Sequence, residues 1–116
     1  MPSTEYIFIL KKEGKREITA TQKIESSLDK EDWAKWMTGK WDIPSVNKND
    51  DHPSKFPDEL PRRLIKMFSC INDNILDPFL GSGTTIKIAR ELNRVGYGYE
   101  IENKYKSIIE NNLKNT

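Results

Sequence analysis

The chain has 116 residues, enough for one modest hydrophobic core and too few for two. Charged residues make up 32% and hydrophobic residues 35%, the balance of a soluble protein, and no run approaches the ~20 apolar residues of a bilayer span. Net charge is +1, with nine basic against nine acidic side chains in residues 1–50 and ten against nine in residues 51–116. DNA binders neutralise phosphates with a basic face, and none shows along this sequence, so composition neither demands nor excludes DNA. The start of the chain lacks a charged-then-apolar export pattern, which leads to the expectation of a cytoplasmic protein away from membranes. The lone Cys70 excludes an internal disulfide and a cysteine-cluster metal site, and reads as a core thiol beside Met67 and Phe68. With only one histidine, His52, no zinc site of the usual kind is expected, and no metal.

In chain order, residues 6–10 (Tyr-Ile-Phe-Ile-Leu) read as a strand, being continuously apolar and rich in aromatic and branched side chains. A basic turn around Gly14 follows. Residues 17–50 are polar and weakly periodic, apart from a short helix that Asp29 or Asp32 would cap, with Trp33, Trp36 and Met37 on one face. The tryptophans are open to three readings: core or helix-face residues, a cover for apolar surface, or contacts to DNA. Residues 47–51 are loop. Pro57, Asp58, Glu59 and Pro61 then suit the first turn of a helix, whose stripe is Leu60, Leu64, Met67 and Phe68. Asn72-Asp73 is a turn and residues 74–77 a short strand. A glycine loop, residues 79–83, leads into a helix through Arg94, capped by Ser82 or Thr84. Residues 95–101 form a second strand, and Asn103 caps a last helix with Tyr105, Ile108, Ile109 and Leu113 on one face. Strands alternating with helices imply a parallel sheet with right-handed crossovers.

The chemistry lies between Asp77 and Glu100. A strand ends in a carboxylate, a glycine turn follows, and a helix starts at once. Gly81 and Gly83 permit a sharp turn and let backbone N–H groups approach a ligand with no Cβ in the way. Glu100 ends the next strand seventeen residues after Gly83, beside the same crevice, where a carboxylate can accept both hydroxyl protons of a ribose. This is the pattern of a nucleoside-containing cofactor. Two details favour S-adenosylmethionine over NAD. Ile86 stands where the dinucleotide fingerprint has its third glycine. Asp77 would repel a pyrophosphate and attract a cationic methionine moiety. A plain strand-to-helix turn with a solvated Glu100 is the competing reading.

Asp77-Pro78-Phe79-Leu80-Gly81-Ser82-Gly83-Thr84-Thr85 resembles the cofactor motif of the β-class DNA amino-methyltransferases, which methylate N4 of cytosine or N6 of adenine. Residues 52–65, beginning His52-Pro53-Ser54-Lys55-Phe56, resemble the motif that precedes it in that class. Gly96-Tyr97-Gly98-Tyr99-Glu100-Ile101 with Asn103-Lys104-Tyr105 resembles the ribose-binding strand and closing helix. The resemblance is strongest over residues 52–113 and implies a partial Rossmann-like sheet of the S-adenosylmethionine-dependent type, incomplete and flanked by helices. It divides the chain into residues 1–51, a strand plus the remnant of a target-recognition region, and residues 52–116, the cofactor-binding core. Asp77, Pro78 and Phe79 would line the methionine and ribose side of the cofactor. Residues Gly81, Ser82, Gly83 and Thr84 would bring backbone close to it, and Glu100 would hold the ribose hydroxyls. His52, Lys55 and Phe56 would close over the methionine tail, Lys55 being either a partner for its carboxylate or a solvated loop lysine.

That family grips a flipped base with an Asp/Asn/Ser-Pro-Pro-aromatic motif, because the amine must leave the duplex to be reached. The prolines here are at 2, 44, 53, 57, 61 and 78, none adjacent, so no catalytic residue is assigned. The resemblance therefore implies the cofactor half of an enzyme of the restriction-modification type. Two consequences are expected: a sheet with an exposed edge and uncovered apolar surface, and a cover supplied by a separate catalytic chain or a second copy. DNA would be met by the assembled enzyme. A truncated inactive remnant and a nucleotide-binding module without methyl transfer are the alternatives.

Overall fold

A computed structural model describes residues 5–43, 57–101 and 106–114. Its elements are α1 (Ala20–Glu25), α2 (Lys30–Trp36), α3 (Glu59–Phe68), β1 (Asn74–Asp77), α4 (Thr84–Glu91), β2 (Val95–Gly98) and α5 (Lys106–Lys114). The two strands pair in parallel, Asn74 opposite Val95 through Asp77 opposite Gly98, with α4 as the crossover. The expected α/β class and partial sheet are what the structure shows.

Packing follows from the strand period of two. Ile75, Asp77, Gly96 and Gly98 alternate onto the face that α4 covers, and Ile75 joins the buried cluster of Ile65, Ile88 and Ala89. The seam between α4 and β2 is tight. A Cβ on Gly96 would lie 3.0 Å from the Ile86 Cα, and one on Gly98 would lie 2.8 Å from a Leu80 methyl. The small residue that Ile86 denies to the helix is thus supplied by the strand opposite it. α3 and α5 also lie against α4.

Helix limits have local causes. Pro61 and Glu59 sit in the first turn of α3 as the sequence implies, but its buried residue is Ile65, and Phe68 is 54% exposed. The stripe expected over Leu60, Leu64, Met67 and Phe68 is therefore rotated toward Ile65. α4 stops at Glu91 rather than Arg94. Asn93 takes the left-handed conformation (φ 63), its N–H reaches the Arg90 carbonyl, and the Arg94 N–H reaches the Ala89 carbonyl. This is a Schellman closure with asparagine in the place glycine usually takes. Arg94 is then buried, its guanidinium donating to the Ser69 hydroxyl (3.1 Å), the Ser69 carbonyl (2.9 Å) and the Leu92 carbonyl (2.7 Å). Loss of solvent at this position lowers the Arg94 pKa from its ordinary value. β2 ends at Gly98 rather than residue 101, because β1 ends at Asp77 and leaves no strand opposite beyond Tyr99.

Residues 5–43 depart furthest from expectation. Residues 6–10 form no strand, and Phe8 is 83% exposed. Apolar, branched side chains favour a strand, but a strand needs a neighbour for its backbone groups, and no described strand pairs with this segment. α1 lies where the sequence suggests only polar chain. Thr19 caps it, its hydroxyl accepting from the Gln22 N–H at 3.0 Å. In α2, Asp29 is the N-cap residue, though its side chain makes no capping bond. Trp36 is buried and Trp41 half-buried, its indole N–H donating to the Trp36 carbonyl at 2.8 Å. The Arg63 guanidinium lies 5.5 Å from the Trp36 ring and 5.4 Å from the Trp41 ring, so these two rings join α2 to α3. Trp33 remains exposed.

Asp73 anchors the same region to the start of β1. Its carboxylate accepts from both Arg16 guanidinium nitrogens (2.7 and 2.5 Å), from the Cys70 N–H (2.7 Å) and from Gln22 (3.3 Å). The Arg16 hydrogen bond is the main reason its pKa falls below the ordinary carboxylate value. The Ser26 hydroxyl accepts from the Ile71 N–H at 2.8 Å and adds a second tie.

Candidate functional site

The turn that leaves β1 gathers the predicted residues at the carboxyl ends of both strands. Asp77 closes β1, and the chain reverses through Pro78 and Phe79. Phe79 is 87% exposed, so its ring stands at the mouth of the turn. Leu80 turns inward onto Gly98, and its N–H donates to the Tyr99 carbonyl at 2.8 Å, tying the loop to the end of β2. Gly83, with φ 90, is the N-cap residue of α4, a conformation that side chains with a Cβ rarely adopt. Neither Ser82 nor Thr84 caps that helix. Their hydroxyls lie 3.1 Å apart, both buried, and brace the loop from within. What Ser82, Gly83 and Thr84 can offer a ligand is backbone.

The two carboxylates meet the loop from opposite ends. Glu100, two residues past β2, accepts from the Gly81 N–H at 3.0 Å through Oε1. Asp77 accepts from the Phe79 N–H at 2.9 Å and from the Thr85 hydroxyl at 2.6 Å. A third brace comes from α5, where the Asn112 side-chain amide donates to the Ser82 carbonyl at 2.7 Å. The sequence pattern assigns no role to Thr85 or Asn112. Thr85 lies within the quoted motif but without a role, and Asn112 is thirty residues from its partner. Parallel-strand register and the Leu80–Tyr99 bond together bring Asp77, the glycine loop and Glu100 into one place. His52, Lys55 and Phe56 lie outside the described residues, as do Asn103 and Tyr105.

The donor set suits a nucleoside carrying positive charge. Carboxylates flank the loop at both ends, and no basic side chain of the loop offers a partner to a pyrophosphate. Among the described residues no group of His, Cys, Asp or Glu is arranged to hold a metal. No described helix is long and apolar enough to cross a membrane.

A short parallel βαβ unit with this loop belongs to the α/β fold of the S-adenosylmethionine-dependent DNA methyltransferases. Residues 1–111 match the DNA methylase model for N6 and N4 enzymes, and the chain belongs to that family of DNA amino-methyltransferases. It is 43% identical to the type II methyltransferase M.MjaI of Methanocaldococcus jannaschii over 94% of this chain and 38% of that protein. It is also 43% identical to the type II methyltransferase M.BglI of Bacillus subtilis, over 95% of this chain and 30% of that protein. Among solved structures, TTHA0409 of Thermus thermophilus, a candidate DNA modification methylase complexed with S-adenosyl-L-methionine, superposes with a TM-score of 0.72 at 36% identity. The match covers 88% of this chain and 39% of that one. The chain thus spans between about three-tenths and two-fifths of the length of these relatives.

Proposed function

We propose that this chain is the cofactor half of a DNA amino-methyltransferase, binding S-adenosyl-L-methionine at the carboxyl ends of β1 and β2. The observation that carries the reading is the pair of carboxylates bound to the two ends of one glycine turn, Asp77 at Phe79 and Glu100 at Gly81. Glu100 would take the ribose hydroxyls, and its bond to the Gly81 N–H holds it against the loop. Asp77 would face the positively charged methionine end, with Phe79 and Pro78 alongside. The backbone of residues 81–84 would lie against the ligand, and His52, Lys55 and Phe56 would close over its tail. When bound, the cofactor supplies the methyl group; the chain's own residues bind and orient it.

Methyl transfer to cytosine N4 or adenine N6 would then need a second component that bears the Pro-Pro-aromatic motif. One face of the strand pair supports such a partner. Leu76 (60% exposed), Val95 and Tyr97 (53%) stand uncovered on the side away from α4, whereas a parallel sheet ordinarily buries both faces. A separate catalytic chain fits this face, and a second copy of this chain is the alternative. DNA would be engaged by the assembly.

Calorimetry tests the cofactor reading: S-adenosylmethionine should bind and NAD should not. Asp77→Ala or Glu100→Ala should each abolish that binding, and unchanged affinity in either would refute the assignment. Mixing the chain with a Pro-Pro-bearing partner and assaying transfer to DNA tests the split enzyme. Cofactor binding without transfer, whatever the partner, would mark an inactive remnant.

A further inference from the structure

We propose that Thr85 is a positioning residue for the Asp77 carboxylate, fixing it to meet the charged methionine end of S-adenosylmethionine; this rests on the cofactor reading above. Asp77 is the last residue of β1, after which the backbone reverses, so the strand alone leaves its side chain free to rotate. Two hydrogen bonds remove that freedom. Oδ1 accepts from the Phe79 N–H two residues on, a local turn bond that constrains one oxygen. Oδ2 accepts from Thr85, eight residues away and already in the first turn of α4, at 2.6 Å. That length is in the range of a charge-assisted O–H to carboxylate bond.

The choice of partner is unusual for a helical threonine. Its hydroxyl commonly bonds back to a carbonyl one turn earlier in the helix. At the second residue of α4 the chain behind is the glycine turn, and the hydroxyl reaches Asp77 instead. β-Branching restricts χ1, so the hydroxyl is presented in a defined direction. The neighbouring threonine is used differently: the Thr84 hydroxyl is buried against Ser82. Each Asp77 oxygen still has acceptor capacity after its internal bond, and the Thr85 bond decides where that capacity points. Glu100 serves the other end of the turn, accepting from the Gly81 N–H.

The consequence is an effect confined to one end of the ligand. Thr85→Val preserves shape and removes the hydroxyl; Thr85→Ser restores it. Affinities for S-adenosylmethionine and for adenosine, which lacks the charged amino-acid end, are measured by calorimetry and competition, with thermal unfolding as a control. Thr85→Val should weaken S-adenosylmethionine about tenfold, the scale of one hydrogen bond to a charged group, while changing adenosine less than about twofold. Thr85→Ser should recover most of the loss. Equal weakening of both ligands, no weakening of S-adenosylmethionine, or failure of serine to rescue would each overturn the proposal. Failure of the unaltered chain to bind S-adenosylmethionine would instead refute the cofactor reading itself.

Discussion

Residues 74–100 and residues 5–43 are built on different principles. The βαβ unit satisfies its own backbone through a parallel ladder, one helix and a Schellman closure, and it buries Ile88 and Ala89 completely. The N-terminal region has only one buried side chain, Trp36, and is held by polar and cation–π ties: Asp73 to Arg16 and Gln22, Ser26 to Ile71, and Arg63 between two indoles. A segment held mainly by such ties keeps its place through a few specific groups, and each is sensitive to solution conditions. A packed unit is sensitive to volume instead. The proposed binding loop, from Asp77 to Glu100, sits on the packed unit, which suits a site whose geometry must stay fixed.

The largest test of this contrast strikes the packed unit. Ile88→Ala should cost about 3 kcal/mol, the range for deleting a fully buried branched side chain, and denaturant unfolding would read it. A loss under about 1 kcal/mol would mean that the cluster is looser than its burial indicates.

A smaller effect is expected at Asp73, and it depends on pH. Its pKa is lowered in the folded chain, so its contribution is present above the unfolded value, about 3.8. That contribution fades as pH falls through the lower folded value. Hydrogen-exchange protection of residues 16–26, measured relative to intrinsic rates at each pH, should therefore fall in acid before the βαβ unit opens. Asp73→Asn should produce the same release at neutral pH, and added salt should weaken the tie because Arg16 is half exposed. Unchanged exchange in the asparagine variant would show that Ser26 and α1 hold the segment without Asp73.

The smallest effect is at the indole pair. Trp41→Ala should cost about 1–2 kcal/mol by removing one of two rings from Arg63 and the indole bond to the Trp36 carbonyl. Tryptophan fluorescence during urea unfolding, which changes chiefly at buried Trp36 because Trp33 is already exposed, would detect α2 leaving before the remainder. A single transition shared with the βαβ unit would contradict the two-part picture.

How much of this is legible in the sequence follows the same division. β1 falls on the residues expected, because the apolar pair Ile75-Leu76 between a turn and a glycine loop leaves little choice. The meeting of Asp77, the loop and Glu100 is also legible, since strand–helix–strand spacing fixes which ends coincide. The end of α4 is hidden because Asn93, not a glycine, takes the left-handed position. Residues 6–10 mislead because strand propensity is a local quantity whereas pairing requires a neighbour. Thr85 and Asn112 escape notice because their roles depend on which way a helix faces the loop, and a hydroxyl or amide carries no periodic signal.

The seam between α4 and β2 has one further implication. Ile86 occupies space that Gly96 concedes, and Leu80 and Ile86 occupy space that Gly98 concedes. Closeness there is a shared allotment of volume, so bulk can be moved across the seam but not added to it. A search keyed to a glycine at one fixed helix position would pass over this unit. A rule that adds the sizes of the two facing residues would find it.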